Sequence, residues 1–353
     1  MRTQPPDLAE ETLRAALLDG WLFGPATLSY LPVGFGSHHW LAADSHGNRL
    51  FATVDDLAAK LSSRTDSTDA AFSRLDRAFG AALSLRRDCR LRFVAAPVPA
   101  RDGRVLARLQ DRYSLVVHPY LDGEPDGADS GSRAPADREA QACMLAALHA
   151  ARPAALPRTD DFAIPNRDEL TAALRQTGQP WAAGPYGERA RNLLATHAAD
   201  LARLLEAFDG LASRVAARPD RVVVTHGEPG AHNIVRTPAG PVLVDWDSVL
   251  LAAPERDLWA LAQYDRSVLP AYSAASGVPI DEHALAFYRM WYDLFEIAGY
   301  LRLFRERHDD TADTAESWQN LVEFLQPAAR WPGLLTAAPE PPPANDSFDG
   351  NTA

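Results

Sequence analysis

The chain has 353 residues, 46% of them hydrophobic and 23% charged, which are ordinary values for a soluble globular protein of about two domains or lobes. Its formal charge of −12 argues against a nucleic-acid or anionic-membrane partner, since both select a basic face, and it suits a cationic small molecule instead. Cys89 and Cys143 are too few for a disulfide scaffold or a cysteine zinc site, and Lys60 is the only lysine, so arginine supplies the other 34 of the 35 basic residues.

Met1–Glu11 shows no apolar signal region, and no run approaches 18 apolar residues, so a cytoplasmic protein is expected. Residues 7–22 carry Leu8, Leu13, Ala16, Leu17 and Trp21 at helical spacing. Thr27–Val33 alternates like a strand and runs into Gly34-Phe35-Gly36-Ser37. A second strand, His38–Ala43, and a third, Arg49–Val54, flank a hairpin turn at Asp44–Asn48. Asp69–Asp88 is periodic through Ala71, Leu75, Phe79, Leu83 and Leu85, which predicts a helix. Short strands are expected near Arg104–Gln110 and Tyr113–His118. Leu121–Ala136 is rich in Gly, Pro, Asp and Ser and reads as a linker. Helices are expected over about 137–151, 167–177, 187–216, 255–266, 281–308 and 313–327, interrupted by strand-like runs at Val222–Thr225 and Val242–Val244. The proline-rich tail from Pro339 to Ala353 is expected to be disordered.

The chemistry concentrates in Thr225-His226-Gly227-Glu228-Pro229-Gly230-Ala231-His232-Asn233 and Val242-Leu243-Val244-Asp245-Trp246-Asp247. Phosphoryl transfer from a nucleotide needs a carboxylate to orient the accepting hydroxyl and oxygen ligands, typically an Asn and an Asp, for magnesium. Glu228 and Asn233 stand five apart, and Asp245 comes twelve residues later at the end of a short apolar run. One amide and one carboxylate suffice for magnesium, which keeps several waters and takes phosphate oxygens.

The pattern His-Gly-Glu-x4-Asn … Val-Asp-Trp-Asp resembles the motif of aminoglycoside phosphotransferases and related small-molecule kinases, usually His-Gly-Asp-x4-Asn followed by Ile-Asp-Trp/Phe. Ala146-Ala147-Leu148-His149 resembles the first helix of the family's second lobe, and Tyr288–Ala298 resembles the late helix of spectinomycin-phosphotransferase-like members. The resemblance implies an α+β, protein-kinase-like two-lobe fold. Its parts are a β-sheet N-lobe with one helix (1–120), a helical lobe (121–338) and a tail (339–353). It further implies an enzyme that moves the γ-phosphoryl of ATP or GTP to a hydroxyl of a small, cationic molecule with Mg2+. By position, Glu228 orients the hydroxyl, His226 braces the loop, and Asn233 and Asp245 hold magnesium. Gly34, Gly36 and Ser37 form the nucleotide loop, and Thr53 stands where a strand lysine would bind phosphate. Val117 and His118 occupy the hinge that meets the base, while Pro119 has no N–H to give. Asp247, Asp293 and Glu296 face the substrate.

Three departures stand out. Glu228 replaces Asp, which shifts the carboxylate by about 1 Å, a distance to which catalysis is sensitive. Lys60, seven residues past Thr53, is the only lysine able to reach back, unless an arginine substitutes. The helix at 69–88 has no glutamate for the usual ion pair. A kinase-fold protein that binds nucleotide or metabolite with little or no turnover is therefore the alternative, as are kinases for choline, homoserine or sugars. Elsewhere, His38, His39 and His232 do not make a metal site by spacing, and Asp55-Asp56 reads first as solvated turn acids. Asp247 is either a second ligand or a helix-capping acid. Trp246, Trp259 and Trp291 read as core. Asp293 and Glu296, three apart, share one helix face and offer a cation-recognising wall. Protein partners are left open.

Overall fold

Residues 1–126, 134–326 and 330–331 are described in a computed structural model of the chain. The first part is a helix, α1 (Glu10–Trp21), followed by the strands β1 (Thr27–Leu31), β2 (His38–Ala43) and β3 (Arg49–Asp56). Helix α2 (Thr68–Arg87) then leads to β4 (Leu106–Leu109) and β5 (Tyr113–Pro119). The strands form one antiparallel sheet in the order β1-β2-β3-β5-β4. The β2–β3 turn closes because Asp44 Oδ1 accepts from the N–H groups of His46 (2.8 Å) and Asn48 (2.9 Å), with Gly47 in the left-handed region at φ +85°. Strand alternation divides the sheet into two faces. Trp40, Ala42, Ala52, Val54, Leu115 and Val117 pack under Leu13 and Leu17 of α1. On the other face Leu106 and Val116 meet Leu75 and Phe79 of α2. Helix α2 starts at Ser67, whose side chain accepts from Ala70 N.

The remainder is mainly helical: β6 (Glu124–Pro125), α3 (Pro135–Ala150), β7 (Arg158–Thr159), α4 (Arg167–Arg175), α5 (Gly187–Ala216), β8 (Val223–Thr225), β9 (Ile234–Thr237), β10 (Gly240–Leu243), β11 (Leu250–Ala252), α6 (Glu255–Ala262), α7 (Val268–Ser276), α8 (Glu282–Arg305) and α9 (Ala312–Phe324). Its core centres on α5 and α8, where Phe208 stacks on Phe287 at 4.8 Å between centroids. Two three-stranded ribbons, β10-β9-β6 and β7-β11-β8, frame the polar loops.

The expected linker is corrected in part, because Glu124–Pro125 pair with Val235–Arg236 of β9. Residues 127–133 of that stretch, and the tail 339–353 expected to be disordered, lie outside the described residues. Helix α7 and strands β9 and β11 go unforeseen.

The two parts are tied across the cleft between them. Arg302 of α8 donates to the carbonyls of Leu61 (3.1 Å) and Ala58 (3.0 Å), in the turn after β3. The backbone N–H groups of Arg2 (2.6 Å) and Thr3 (3.2 Å) reach Asp313 of α9, while Tyr30 of β1 donates to Thr3 O. Phe35, at the tip of the glycine loop, lies 6.2 Å from the ring of Tyr300 on α8.

Candidate active site

The loop from β8 to β9 is held from behind by α6. Asp257, fully buried, accepts from the backbone N–H of His226 (2.8 Å) and of Gly227 (2.7 Å). His149 Nε2 donates to the same carboxylate at 3.1 Å, and Tyr272 O–H donates to His149 Nδ1 at 2.7 Å. Burial alone would raise the Asp257 carboxyl; the bond from His149 and the charge of Arg256 outweigh it and hold it below its ordinary range. Arg256 donates to Thr225 Oγ1 (3.0 Å) and Ser248 O (2.9 Å), and Ser248 Oγ donates to His226 O (2.8 Å). Gly227 sits at φ +104°, where a Cβ would come within 2.5 Å of the Arg256 guanidinium.

His226 is the internal brace. Its Nε2–H donates to Val244 O (2.9 Å) and its Nδ1 accepts from Glu228 N–H (3.2 Å), which fixes the neutral tautomer. Burial pushes its ring down to about 4, so it stays neutral at physiological pH. Asn233 Nδ2 donates to Glu228 O (2.9 Å), and Val244 N–H donates to Asn233 O (2.9 Å). Asp245 comes after β10 at φ +66°, a costly conformation for a residue with a Cβ. The buried Trp246 beside it packs edge-on against His226 and donates to Leu243 O (2.7 Å).

The sequence places Glu228, Asp245 and Asp247 on two loops, and the fold brings them together. Desolvation by the surrounding protein and repulsion from Asp247 raise the Glu228 carboxyl. The same desolvation, with Asp247 and Glu228 as neighbours, holds Asp245 well above its ordinary range. Asp247 is no helix cap, since α6 starts only at Glu255; its Oδ2 accepts from Lys60 Nζ at 2.7 Å. Burial works against its ionisation, but the Lys60 ammonium holds it charged, below its ordinary range. Among the described residues, no three His, Cys, Asp or Glu side chains are arranged to hold a metal ion.

On the sheet side, Gly34 (φ +69°) and Gly36 (φ +84°) need their left-handed backbone, and Ser37 Oγ donates to Asp55 Oδ1 at 2.6 Å. Asp55 is not a solvated turn acid as the sequence suggests: it lies near the end of β3, is 1% exposed and stands 3.2 Å from Lys60 Nζ. Thr53 bonds His39 Nδ1 at 3.2 Å, and His39 stacks on Phe51 at 5.0 Å. At the expected hinge, the Val117 side chain is buried in the core beneath α1 and its carbonyl already accepts from Val98 N–H (2.7 Å). That backbone acceptor is engaged. His118 rests edge-on against Phe79, its ring lowered to about 4 by burial.

The expected wall on α8 is divided. Asp293 is fully buried and held by Arg330 at 2.7 Å, so it is not open to a ligand. Glu296 remains. Burial raises its carboxyl to about 7, the neighbouring Tyr300 hydroxyl offsets part of that rise, and Asn320 Nδ2 donates to Tyr300 O–H at 3.1 Å. Tyr292, whose ring lies 5.1 Å from that of Trp259, and Phe324, 6.3 Å from the ring of Tyr300, complete an aromatic surround. Asp257, Asp55 and these aromatics escape a reading by motif, because each acts through a partner remote in sequence.

Comparisons with known proteins agree with this architecture. The model of the family described as "Phosphotransferase enzyme family" matches residues 42–288. Protein StrN of Streptomyces griseus is 31% identical over 245 residues, which cover 66% of this chain and 72% of StrN. A crystal structure of spectinomycin phosphotransferase with ADP and spectinomycin superposes with a TM-score of 0.70 over 94% of this chain and 98% of that one, at 14% identity. Choline kinase LicA from Streptococcus pneumoniae superposes with a TM-score of 0.53 over 90% and 98%, at 16% identity. The fold is thus the α+β, two-lobe, protein-kinase-like one.

Proposed function

We infer the function from a membership: this chain belongs to the phosphotransferase enzyme family. It is accordingly a phosphotransferase. The proposed reaction transfers the γ-phosphoryl of ATP or GTP to a hydroxyl of a small cationic molecule of aminoglycoside or aminocyclitol type. The supporting observation is that Glu228 and Asn233, on a loop held by the buried Asp257, are joined to Asp245 and Asp247 on a second loop that His226 ties to the first through Val244 O.

The residues fit a magnesium ion. Asp247 raises the carboxyls of both Glu228 and Asp245, with Lys60 as the counter-charge beside them, and the Asn233 amide with the Asp245 carboxylate supplies the hard oxygen donors that magnesium takes. Asn233 and Asp245 would hold the ion, with phosphate oxygens and water as the remaining ligands. Magnesium held there would supply charge neutralisation for the nucleotide phosphates. Glu228 accepts the hydrogen bond of the acceptor hydroxyl and takes its proton as the new O–P bond forms. A carboxyl raised by burial is a better base for that purpose than an exposed one. His226 keeps Glu228 and the Val244–Asp245 segment in register without taking part in proton transfer. Gly34, Gly36 and Ser37 offer backbone N–H groups to phosphate oxygens. Residues 1–120 act as the nucleotide lobe and 121–338 as the catalytic and acceptor lobe.

Glu296 with its tyrosines forms the acceptor wall. A negative side chain among aromatic faces recognises an ammonium group, and both spectinomycin and choline, the molecules named for the two structural neighbours, carry cationic nitrogen at neutral pH. The test is transfer from γ-labelled ATP or GTP to a panel of aminocyclitols, aminoglycosides and choline, with wild type and Glu228→Gln. The expected result is transfer to a cationic acceptor, cut about 10²–10⁴-fold in the variant. Wild-type rates in Glu228→Gln would remove the residue from its role.

A further inference from the structure

The helix α2 has no glutamate and strand β3 has no lysine, so the ion pair expected between them is missing. The structure holds another pair in the same lobe. Lys60, in the turn after β3, turns back so that its Nζ lies 3.2 Å from Asp55 Oδ1 and 2.7 Å from Asp247 Oδ2. Asp55 is also where Ser37 of the glycine loop is bound, at 2.6 Å. One strand-end carboxylate therefore ties the glycine loop and the only lysine to a single point on the cleft.

We propose that Lys60 is the side chain that contacts the phosphates of the donor nucleotide, with Asp55 as the residue that positions it. This rests on the reading of the chain as a nucleotide-dependent phosphotransferase and names a further residue of that site.

Three observations carry the assignment. First, a lysine that only joined the lobes would need one carboxylate partner, whereas Lys60 lies between one on the sheet side and one on the helical side. An ammonium on a flexible four-carbon stem can keep Asp55 and exchange Asp247 for a phosphate oxygen. Second, Asp55 Oδ2 is buried with no hydrogen-bond partner in this structure, an arrangement that is costly unless a further donor or cation completes it. Third, the other cation near the acids, Arg256, already donates to Thr225 and Ser248 behind the loop. The turn itself is pinned by Arg302 and by the bond from Asn166 N–H to Ser62 O at 2.6 Å, so the lysine is delivered from a fixed base.

The experiment compares the affinity of the full chain for nucleosides and for their triphosphates, adenosine with ATP and guanosine with GTP, with and without magnesium. It uses wild type, Lys60→Met, Lys60→Arg and Asp55→Asn. Loss of one charge-assisted contact predicts that Lys60→Met binds the triphosphate about 10–100-fold more weakly and the nucleoside within about twofold of wild type. Lys60→Arg recovers part of that loss, and Asp55→Asn shifts triphosphate affinity in the same direction by less. Equal weakening for nucleoside and triphosphate, or none for either, in Lys60→Met would make Lys60 a strut between the lobes and overturn the proposal. Unchanged triphosphate affinity in Asp55→Asn would overturn the positioning role. A wild type that binds no triphosphate would instead overturn the phosphotransferase reading, and this proposal with it.

Discussion

Asp293 and Glu296 stand one helical turn apart on α8, yet they meet opposite surroundings. Asp293 is neutralised by Arg330, which lies 37 residues further along the chain, whereas Glu296 is raised to about 7 by burial. The i,i+3 spacing reveals that the two share a face; which of them is open to a ligand depends on Arg330, beyond α9, and no local pattern carries that. The raised carboxyl sets the sign of a pH dependence. Glu296 is protonated in the folded protein below about 7, so a cationic acceptor binds more tightly as pH rises through that value. Titration of acceptor KM from about pH 6 to about pH 8 should show this rise in affinity in wild type and a flat profile in Glu296→Gln. An acid whose folded value lies above its unfolded one also costs stability once pH exceeds the unfolded value, and the cost is complete above the folded value. Glu296→Gln is therefore expected to melt no lower than wild type at about pH 8, a comparison that thermal unfolding provides.

At the scale of elements, the short helix α6 decides where the His226–Glu228 loop sits. Removing the carboxylate in Asp257→Ala leaves two backbone N–H groups and His149 without their acceptor. The expected loss is about 3–5 kcal/mol, read by chemical denaturation, together with transfer activity. In Gly227→Ala the new Cβ meets the Arg256 guanidinium at φ +104°, so a loss of about 1–3 kcal/mol and of transfer is expected in the same assays. Most helices of the second lobe were legible in the sequence because their apolar stripes are long, as over Gly187–Ala216 and Glu282–Arg305. The elements that escaped lack that pattern. Helix α7 is a nine-residue segment with no charged residue and a proline in its first turn, and β9 and β11 are strands of four and three residues defined by their partners. Glu228, Asp245 and Asp247 could be picked out as candidates because their order and spacing resemble the family motif. Asp257 was not, because a buried hydrogen-bond acceptor within a helix leaves no local signature.

For the whole molecule, the −12 charge and the acidic cleft would attract an acceptor of the proposed cationic kind over a distance that salt shortens, from about 10 Å at 0.1 M to about 3 Å at 1 M. The KM for a cationic acceptor should rise across that range while that for a neutral sugar acceptor stays level; equal behaviour of both would argue against steering. Among the described residues, no helix is long and apolar enough to cross a membrane. Among the contacts that cross the cleft are Arg302 on Leu61 and Ala58, Arg2 and Thr3 on Asp313, Phe35 near Tyr300, and Lys60 between Asp55 and Asp247. The last of these has a use in the laboratory. A reagent that acylates amines and spares guanidinium groups has one side chain to find in 353 residues, and that side chain stands in the cleft at 24% exposure. Slow acylation there, followed by mass spectrometry as nucleotide is added, turns the scarcity of lysine into an occupancy gauge that needs no engineered label.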